Sequence, residues 1–164
     1  MIRSFLRKRA ARKTFGNLAS EDTVEAFRVG RSEGQPLEEG DIEYVLAFVR
    51  GNTPTLISER VGNVAYIAFN HGAVVHAVVG SFVAVAFGTL PTKHEQPGDR
   101  PALVEELHQS LGDDIKILHG AGRGYFGLIG NQAWQSHSFL LPQFDAMLGV
   151  LSQLDFGQTQ EFTP

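Results

Sequence analysis

The 164-residue sequence contains no cysteine. This absence excludes a disulfide framework, a thiolate metal site and a cysteine nucleophile, and it is compatible with a reducing compartment. The six histidines also lack the short, regular spacings of zinc ligands; His71 and His76 lie five residues apart and the others are scattered. We therefore expect a cytoplasmic protein that needs no metal or other cofactor.

The sequence also lacks an apolar run long enough to cross a membrane. Its longest candidate, "GAVVHAVVGSFVAVAFG" at 72–88, has seventeen residues, whereas a membrane helix needs about 20. The segment is rich in valine, and Gly80-Ser81 at its centre is typical of a two-residue hairpin turn. It predicts two antiparallel strands, 73–79 and 82–88. Because both strands are apolar throughout, we expect the hairpin to lie centrally in its sheet.

Positive charge is scarce outside the amino end. Residues 1–13 carry six of the fourteen basic side chains and no acid, which leaves eight basic and eighteen acidic residues in the rest. Nucleic acid is not expected as a partner, because the acidic body would oppose binding. The basic segment is predicted to be helical, and it either supports dimerisation or contacts an anionic membrane surface. The residues predicted for either contact are Ile2, Arg3, Phe5, Leu6, Arg7, Lys8 and Arg9.

The remaining pattern alternates strands and helices. Residues 28–40 are rich in glycine and charge and predict a linker, and 42–49 predict a strand. Residues 55–70 fit either a helix or, at "VAYIAF", a strand. "RPALVEELHQSLG" predicts a helix with proline in its first turn and glycine at its end, and "DIKILH" and "GYFGLI" predict strands on either side of a glycine turn. "PQFDAMLGVLSQLDFG" predicts a closing helix.

This order predicts an α+β fold with a ferredoxin-like βαββαβ core and one added strand and helix. The predicted organisation is a basic helical segment over residues 1–27, a linker over 28–40 and a folded domain over 41–164.

Four segments, in the same order, resemble class III adenylyl and guanylyl cyclase domains. They are "RAARKTFGNLASEDTVEAF" (9–27), "VLAFVRGNT" (45–53), the hairpin at 72–88 and the segment 122–157 that begins "GRGYFGLIG". The region between Thr53 and Gly72 is shorter than the helical pair of that family. The resemblance implies the cyclase fold with a shortened first helical region.

The resemblance also implies that the chemistry has been lost. The family holds two divalent ions between two aspartates, and those positions here are Phe48 and Ser81. An asparagine and an arginine that act on ribose and the transition state correspond to Asp145 and Gly149. The lysine that helps to select adenine corresponds to Ala77. The metal-binding and catalytic positions are therefore degenerate, and no metal site is predicted.

Cyclase active sites form across a two-fold interface, so the resemblance also implies a homodimer. We predict a non-catalytic cyclase-homology domain that acts as a dimerisation and regulatory module in signalling, paired with itself, with a cyclase-like protein or with another signalling protein. The alternatives are a nucleotide-binding sensor without turnover, and a weakly active cyclase with Asp41 or Glu43 as displaced ligands.

Two further features of the sequence are interpreted as structural rather than as ligand-binding. Gly122, Gly124 and Gly127 spell GxGxxG, but no helical period follows them, which favours a glycine-rich turn and strand over a phosphate-binding loop. Phe48 and Trp134 are interpreted as core or interface anchors rather than ligand-stacking groups.

Overall fold

A computed structural model describes residues 37–89, 98–130 and 135–163. The predicted basic segment 1–27, residues 28–36 of the predicted linker and Trp134 lie outside the described residues. The membrane and dimer contacts predicted for Ile2 to Arg9 therefore stay predictions. Within the described part of the chain, no helix is long and apolar enough to span a membrane.

Strands and helices alternate along the chain. The strands are β1 (Glu38–Val49), β2 (Val74–Val79), β3 (Phe82–Phe87), β4 (Ile115–Gly130), β5 (Gln135–Leu140) and β6 (Thr159–Glu161). The helices are α1 (Pro54–Asn70), α2 (Arg100–Leu111) and α3 (Phe144–Gln153), with a 3₁₀ turn at Gly112–Asp114. The predicted α+β class is confirmed.

The strands form one sheet in the order β2-β3-β1-β4-β5, and all neighbours in this order are antiparallel. β6 lies parallel to the first part of β4. The long β1 lies at the centre, between β3 and β4. Its last residues therefore have neighbours from two other strands, which brings three segments of sequence to one end of the sheet.

Both long helices begin at a side chain that caps the first turn. Thr53 precedes α1 and accepts a hydrogen bond from the Leu56 N–H at 3.2 Å, with Pro54 as the first helical residue. Asp99 precedes α2 in the same way and accepts from the Ala102 N–H at 3.0 Å. Side-chain acceptors at these positions satisfy N–H groups that have no partner inside the helix. The ambiguity at 55–70 is thus resolved as a helix.

The predicted hairpin forms, but its position in the sheet was predicted wrongly. Gly80 has a φ of +60°, which suits the first position of the two-residue turn, and Val79 pairs with Phe82. β3 is internal, whereas β2 is the outermost strand on its side. The apolar residues of β2 are shielded from water without a second neighbouring strand. α1 covers one face of β2, and aromatic rings from β5 approach the other face.

The predicted glycine turn between "DIKILH" and "GYFGLI" is also wrong, since both segments belong to the continuous strand β4. A Cβ at Gly120 would collide with the Tyr44 hydroxyl, and one at Gly124 would collide with the Leu140 carbonyl oxygen. These glycines therefore permit close packing within a strand. The strand reading of GxGxxG is confirmed, and the phosphate-loop reading is not.

β1 begins earlier than predicted. Residues 38–41 were assigned to the linker and its boundary, but they pair with residues 123–126 of β4. This error has the same cause as the wrong glycine turn. Residues 38–41 pair with the second half of β4, and that half was not recognised as a continuation of the first. The closing helix is shorter than the predicted 142–157 and covers Phe144–Gln153.

The sheet has two differently covered faces. The α1/α2 face packs aliphatic side chains beneath α1 and α2, and the α3 face packs against α3. Buried residues of the α1/α2 face include Val45, Ala47, Val49, Val64, Ile67, Val85, Leu103, Leu107, Ile115 and Ile117. Buried residues of the α3 face include Ile42, Tyr44, Leu46, Ala84, Ala86, Leu118, Phe139, Met147 and Leu151.

Candidate functional site

The structure brings together the two positions that the resemblance assigns to metal-binding aspartates. Phe48 is the second-last residue of β1 and pairs with Phe82 of β3, and their rings lie 5.3 Å apart between centroids. Ser81 lies in the turn just before Phe82, and its carbonyl oxygen accepts the Val49 N–H at 3.0 Å. An aromatic ring and one hydroxyl do not fit a pair of divalent ions, which require several charged oxygen ligands. The residues present therefore do not support a metal-dependent step.

A buried cation, which was not predicted, occupies this end of the sheet. Lys116 of β4 pairs with Phe48 on the side opposite to Phe82 and is 9% exposed. Its Nζ lies 5.6 Å from the centroid of the Phe48 ring and 5.4 Å from that of Phe156. Ammonium groups at such distances are attracted to the faces of aromatic rings.

The same ammonium group is fixed by the end of α3. Lys116 Nζ donates to the carbonyl oxygens of Ser152 and Leu154, both at 3.0 Å. The last carbonyls of a helix lack intrahelical donors and carry partial negative charge, so a cation stabilises this end. Lys116 therefore joins the Phe48 region to the C-terminal end of α3.

The other two positions that the resemblance assigns to catalysis lie on α3. Asp145 is exposed in the first turn, where a carboxylate interacts favourably with the N-terminal end of the helix. Gly149 is exposed, and a Cβ built there would meet no atom within 4 Å. Asp145 lies eight residues before the end of α3, a rise of about 12 Å, so it stands well away from the Lys116 contacts. The space beside Gly149 is open, but glycine has no side chain that could act there.

Ala77 adjoins a packed pair of imidazoles. The pairing of β2 with β3 shifts between Val75 and Ala77, which leaves His76 as the extra residue of a β-bulge. The His76 ring stacks on His137 of β5 at 5.2 Å between centroids and meets the Phe139 ring edge-on at 5.0 Å. His76 Nε2 also lies 2.9 Å from the hydroxyl of Thr89, a fully buried residue. This cluster joins the two outer strands of the sheet.

Both imidazoles are held neutral. Burial lowers the pKa of His76 to about 4. Burial, together with the neighbouring His76, lowers the pKa of His137 to about 3. Removing an imidazolium from water is unfavourable, so near pH 7 neither ring supplies positive charge to a phosphate group.

The proposed displaced ligands lie elsewhere. Asp41 and Glu43 are seven and five residues before Phe48 in β1, a separation of roughly 17–23 Å at the usual strand rise. Glu43 also forms an ion pair with Arg100 of α2 at 3.1 Å. The structure does not bring either carboxylate to Ser81. Moreover, no group of three or more potential metal-binding side chains occurs among residues 37–89, 98–130 and 135–163.

Sequence reasoning missed Lys116 and the partner of His76. A lysine between isoleucines in "DIKILH" is a weak signal of a buried cation, but the carbonyls that hold it come from more than 35 residues later. His76 is one of two polar side chains in the hairpin, yet nothing in the sequence indicates that it meets His137.

No protein-family model matches the chain, and no curated protein matches it. Solved structures do match, although with low sequence identity. The guanylyl cyclase Cya2 is 17% identical with a TM-score of 0.57, and the match covers 77% of each chain. The adenylyl cyclase CyaB from P. aeruginosa is 13% identical with a TM-score of 0.58, over 77% of this chain and 79% of that one.

A third match is the dimeric guanylyl cyclase domain of the RhoGC fusion protein from the aquatic fungus Blastocladiella emersonii. It is 10% identical with a TM-score of 0.55, over 76% of this chain and 80% of that one. The chain therefore has the fold of adenylyl and guanylyl cyclase catalytic domains, as predicted.

Proposed function

We propose that this protein is a non-catalytic cyclase-homology domain that acts by association, as a homodimeric regulatory module in signalling. The observation that carries the proposal is the pairing of Phe48 with Lys116. Where the cyclase resemblance requires a carboxylate and divalent ions, the chain has an aromatic ring with an ammonium group 5.6 Å from its centre.

The electrostatics of this end of the sheet oppose metal binding. A divalent cation as far from Lys116 Nζ as the Phe48 ring centre is would be repelled by about 6 kcal/mol at an effective dielectric constant of 20. Lys116 cannot readily move away, because two carbonyl oxygens of α3 hold its ammonium group. Metal binding would thus have to overcome repulsion without a carboxylate at either position.

The nucleotide-binding positions offer no replacement. Gly149 has no cationic side chain for a transition state, and Asp145 presents a carboxylate that repels phosphate. Beside Ala77, the stacked His76 and His137 rings fill the space between the outer strands. These features disfavour the nucleotide-sensor alternative.

Association is supported by an exposed apolar pair. Tyr125 of β4 and Leu140 of β5 lie directly opposite each other in the sheet and are 45% and 47% exposed. One of the matching cyclase domains is described as a non-canonical dimer. We propose that a second copy of this chain covers the Tyr125–Leu140 pair, since an exposed aromatic and aliphatic pair gains free energy when it leaves water.

The first experiment measures catalysis and nucleotide binding with the full chain. We expect no cyclic AMP or cyclic GMP from ATP or GTP with magnesium or manganese, and no heat of binding up to millimolar nucleotide. An active cyclase assayed in parallel is the control. Product formation would contradict the non-catalytic proposal; heat without product would instead support the nucleotide sensor.

The second experiment measures mass in solution by gel filtration with light scattering. We expect a dimer for the wild type and a shift towards monomer in the Tyr125→Lys, Leu140→Lys double variant, because buried, unpaired ammonium groups are costly. Tyr66→Lys is the matched control, since Tyr66 is 66% exposed on α1, away from this strand pair. A wild-type monomer at high micromolar concentration would contradict the proposal.

A further inference from the structure

One end of the sheet is exposed to solvent on the side that faces α1 and α2. Its exposed side chains are Glu39 and Asp41 of β1, Arg123 and Tyr125 of β4, and Leu140 of β5. The register places Asp41 opposite Arg123, Glu39 opposite Tyr125, and Tyr125 opposite Leu140. Directly opposed residues project from the same side of a sheet, so these five side chains form one patch, which we call the open end. The open end combines an apolar pair with carboxylates.

The carboxylates along β1 outnumber the cations beside them. Arg123 Nε donates to Glu39 Oε1 at 2.8 Å, so this guanidinium is already paired with one carboxylate. The hydrogen bond to Glu39, and then the charges of Glu39 and Asp41, raise the pKa of Arg123, so both carboxylates act on one cation. Glu43 continues the row and pairs with Arg100 at 3.1 Å. The open end and its border therefore keep an excess of negative charge.

This charge constrains how a second copy can cover the Tyr125–Leu140 pair. In a two-fold dimer the same surface of both copies meets itself. Two open ends in direct contact would place the carboxylates of one copy beside those of the other, and such like-charge contacts are unfavourable. The gain from burying the apolar pair would then be offset. A dimer through this patch therefore needs positive charge from another part of the chain.

The amino end of the chain has the required composition. Residues 1–13 carry six basic side chains and no acid, together with the apolar Ile2, Phe5 and Leu6. Basic side chains complement the carboxylates of the open end, and apolar side chains complement its Tyr125–Leu140 pair. Residues 14–37 separate this segment from β1 and reach up to about 80 Å when fully extended. This length is sufficient to cross from one copy to another.

We propose that residues 1–13 of each copy bind to the open end of the other copy. The basic side chains lie against Glu39 and Asp41, and the apolar side chains lie against the Tyr125–Leu140 pair. This inference rests on the proposed function, because it names the part of the second copy that covers the pair. In a two-fold dimer the exchange occurs twice, and each segment neutralises the negative patch of its partner.

The first test measures the dimer dissociation constant of full-length chains by analytical ultracentrifugation. Asp41→Arg should weaken the dimer about ten-fold, because it repels the basic segment. Direct contact between two open ends predicts the opposite sign, since Asp41→Arg would remove a repulsion. Glu59→Arg makes the same change of charge at an exposed position of α1 and is the matched control, which should dimerise normally.

The same measurement tests the segment itself. A full-length variant with the six basic residues of 1–13 replaced by glutamine should weaken the dimer at least as much as Asp41→Arg. Raising the salt concentration from about 0.1 M to 1 M should weaken the wild-type dimer and have less effect on the glutamine variant, because the Debye length falls from about 10 Å to 3 Å. Circular dichroism confirms that each variant is folded.

The second test locates the segment by cross-linking with a carbodiimide, which joins lysine amines to carboxylates that they contact. A mixture of unlabelled and ¹⁵N-labelled wild-type chains distinguishes links between copies from links within one copy. We expect Lys8 or Lys13 joined to Glu39 or Asp41, in peptide pairs with one labelled and one unlabelled member. Links within one copy only, or none to the open end, would overturn the inference.

The inference and the proposed function fail in different ways. If the glutamine variant and Asp41→Arg dimerise like the wild type, the exchange of residues 1–13 is wrong and the homodimer still stands. A wild-type monomer at high micromolar concentration contradicts both. Sedimentation with phosphatidylserine vesicles tests the membrane alternative: binding that needs the six basic residues, with a dimer that does not, would assign the segment to membranes and overturn the inference.

Discussion

Helices cover both faces of the sheet, but the side chains buried on the two faces differ in chemistry. The α1/α2 face is closed mainly by aliphatic side chains, with Leu103, Leu107, Ile115 and Ile117 fully buried and Phe87 as a buried aromatic ring. The α3 face contains a buried ammonium group at Lys116, an unpartnered hydroxyl at Tyr44 and a cavity of about 110 Å³. The His76–His137 pair adjoins the same face through Phe139.

This difference indicates that the two faces of the sheet have different roles. Dry aliphatic packing provides most of the stabilising burial, at about 25 cal/mol per Å² of apolar surface. Buried polar groups cost free energy unless they are fully satisfied, so they are kept where they have a specific partner or role. The α3 face is also where the cyclase resemblance places its chemistry, at Phe48 and on α3. We infer that the α1/α2 face maintains the fold and that the α3 face has diverged in function.

The largest effect should come from truncating the α1/α2 face. Leu107→Ala removes a fully buried side chain from α2 and should lower the free energy of unfolding by about 3–4 kcal/mol, through lost burial and the cavity left behind. Leu154→Ala, at a partly buried position on the α3 face, should cost about half as much. Urea denaturation measures both. Equal losses would show that the partly buried Leu154 contributes as much as the fully buried Leu107.

Local features of this fold could be predicted from sequence, and contacts between distant segments could not. The hairpin follows from valine-rich strands around Gly80-Ser81, and α2 follows from Pro101 in its first turn and Gly112 at its end. These signals act within a few residues, where turn and capping preferences are decisive. The cyclase-like segments likewise gave the correct fold.

The errors concern distant partners. Gly120 and Gly124 suggest a turn, but they lie in a strand because Tyr44 and the Leu140 carbonyl approach them closely. The apolar β2 suggests a central strand, but it is outermost because α1 and the rings of β5 cover it. At the candidate site, the positions of Phe48 and Ser81 followed from the resemblance, whereas Lys116 depends on carbonyls of α3 that only the folded chain brings near.

Acid should destabilise the protein through the histidine pair. His76 and His137 have folded-state pKa values of about 4 and about 3, below the unfolded value of about 6.5, so the unfolded chain binds more protons between these limits. Their contribution is fully present above about pH 6.5 and is lost as the pH falls through 4 for His76 and through 3 for His137. His76 alone should account for about 3 kcal/mol at pH 4.

Denaturant unfolding between pH 4 and 7.5 measures this loss. The His76→Gln, His137→Gln double variant should show a much flatter dependence on pH over this range, whereas His108→Gln, at an exposed position on α2, should follow the wild type. A double variant with an unchanged pH dependence would mean that other groups control acid stability.

The smallest loss of stability should come from replacing the buried cation Lys116. The variants also separate its structural role at the end of α3 from its electrostatic effect on metal binding. Lys116→Met keeps the aliphatic packing against Phe48 but removes the donors to the Ser152 and Leu154 carbonyls, so it should lower the free energy of unfolding by about 1–2 kcal/mol. The loss is limited because a buried ammonium group is itself costly to desolvate. Arg123→Met removes an exposed cation from the same strand and should cost less than Lys116→Met, because solvent screens an exposed ion pair. Urea denaturation compares the two variants.

Manganese titration by calorimetry tests the electrostatic role of Lys116. The Phe48→Asp, Lys116→Met double variant should bind manganese more tightly than the Phe48→Asp single variant. In the double variant no ammonium group repels the ion or pairs with the new carboxylate. Equal affinities would show that Lys116 stabilises α3 but does not exclude metal.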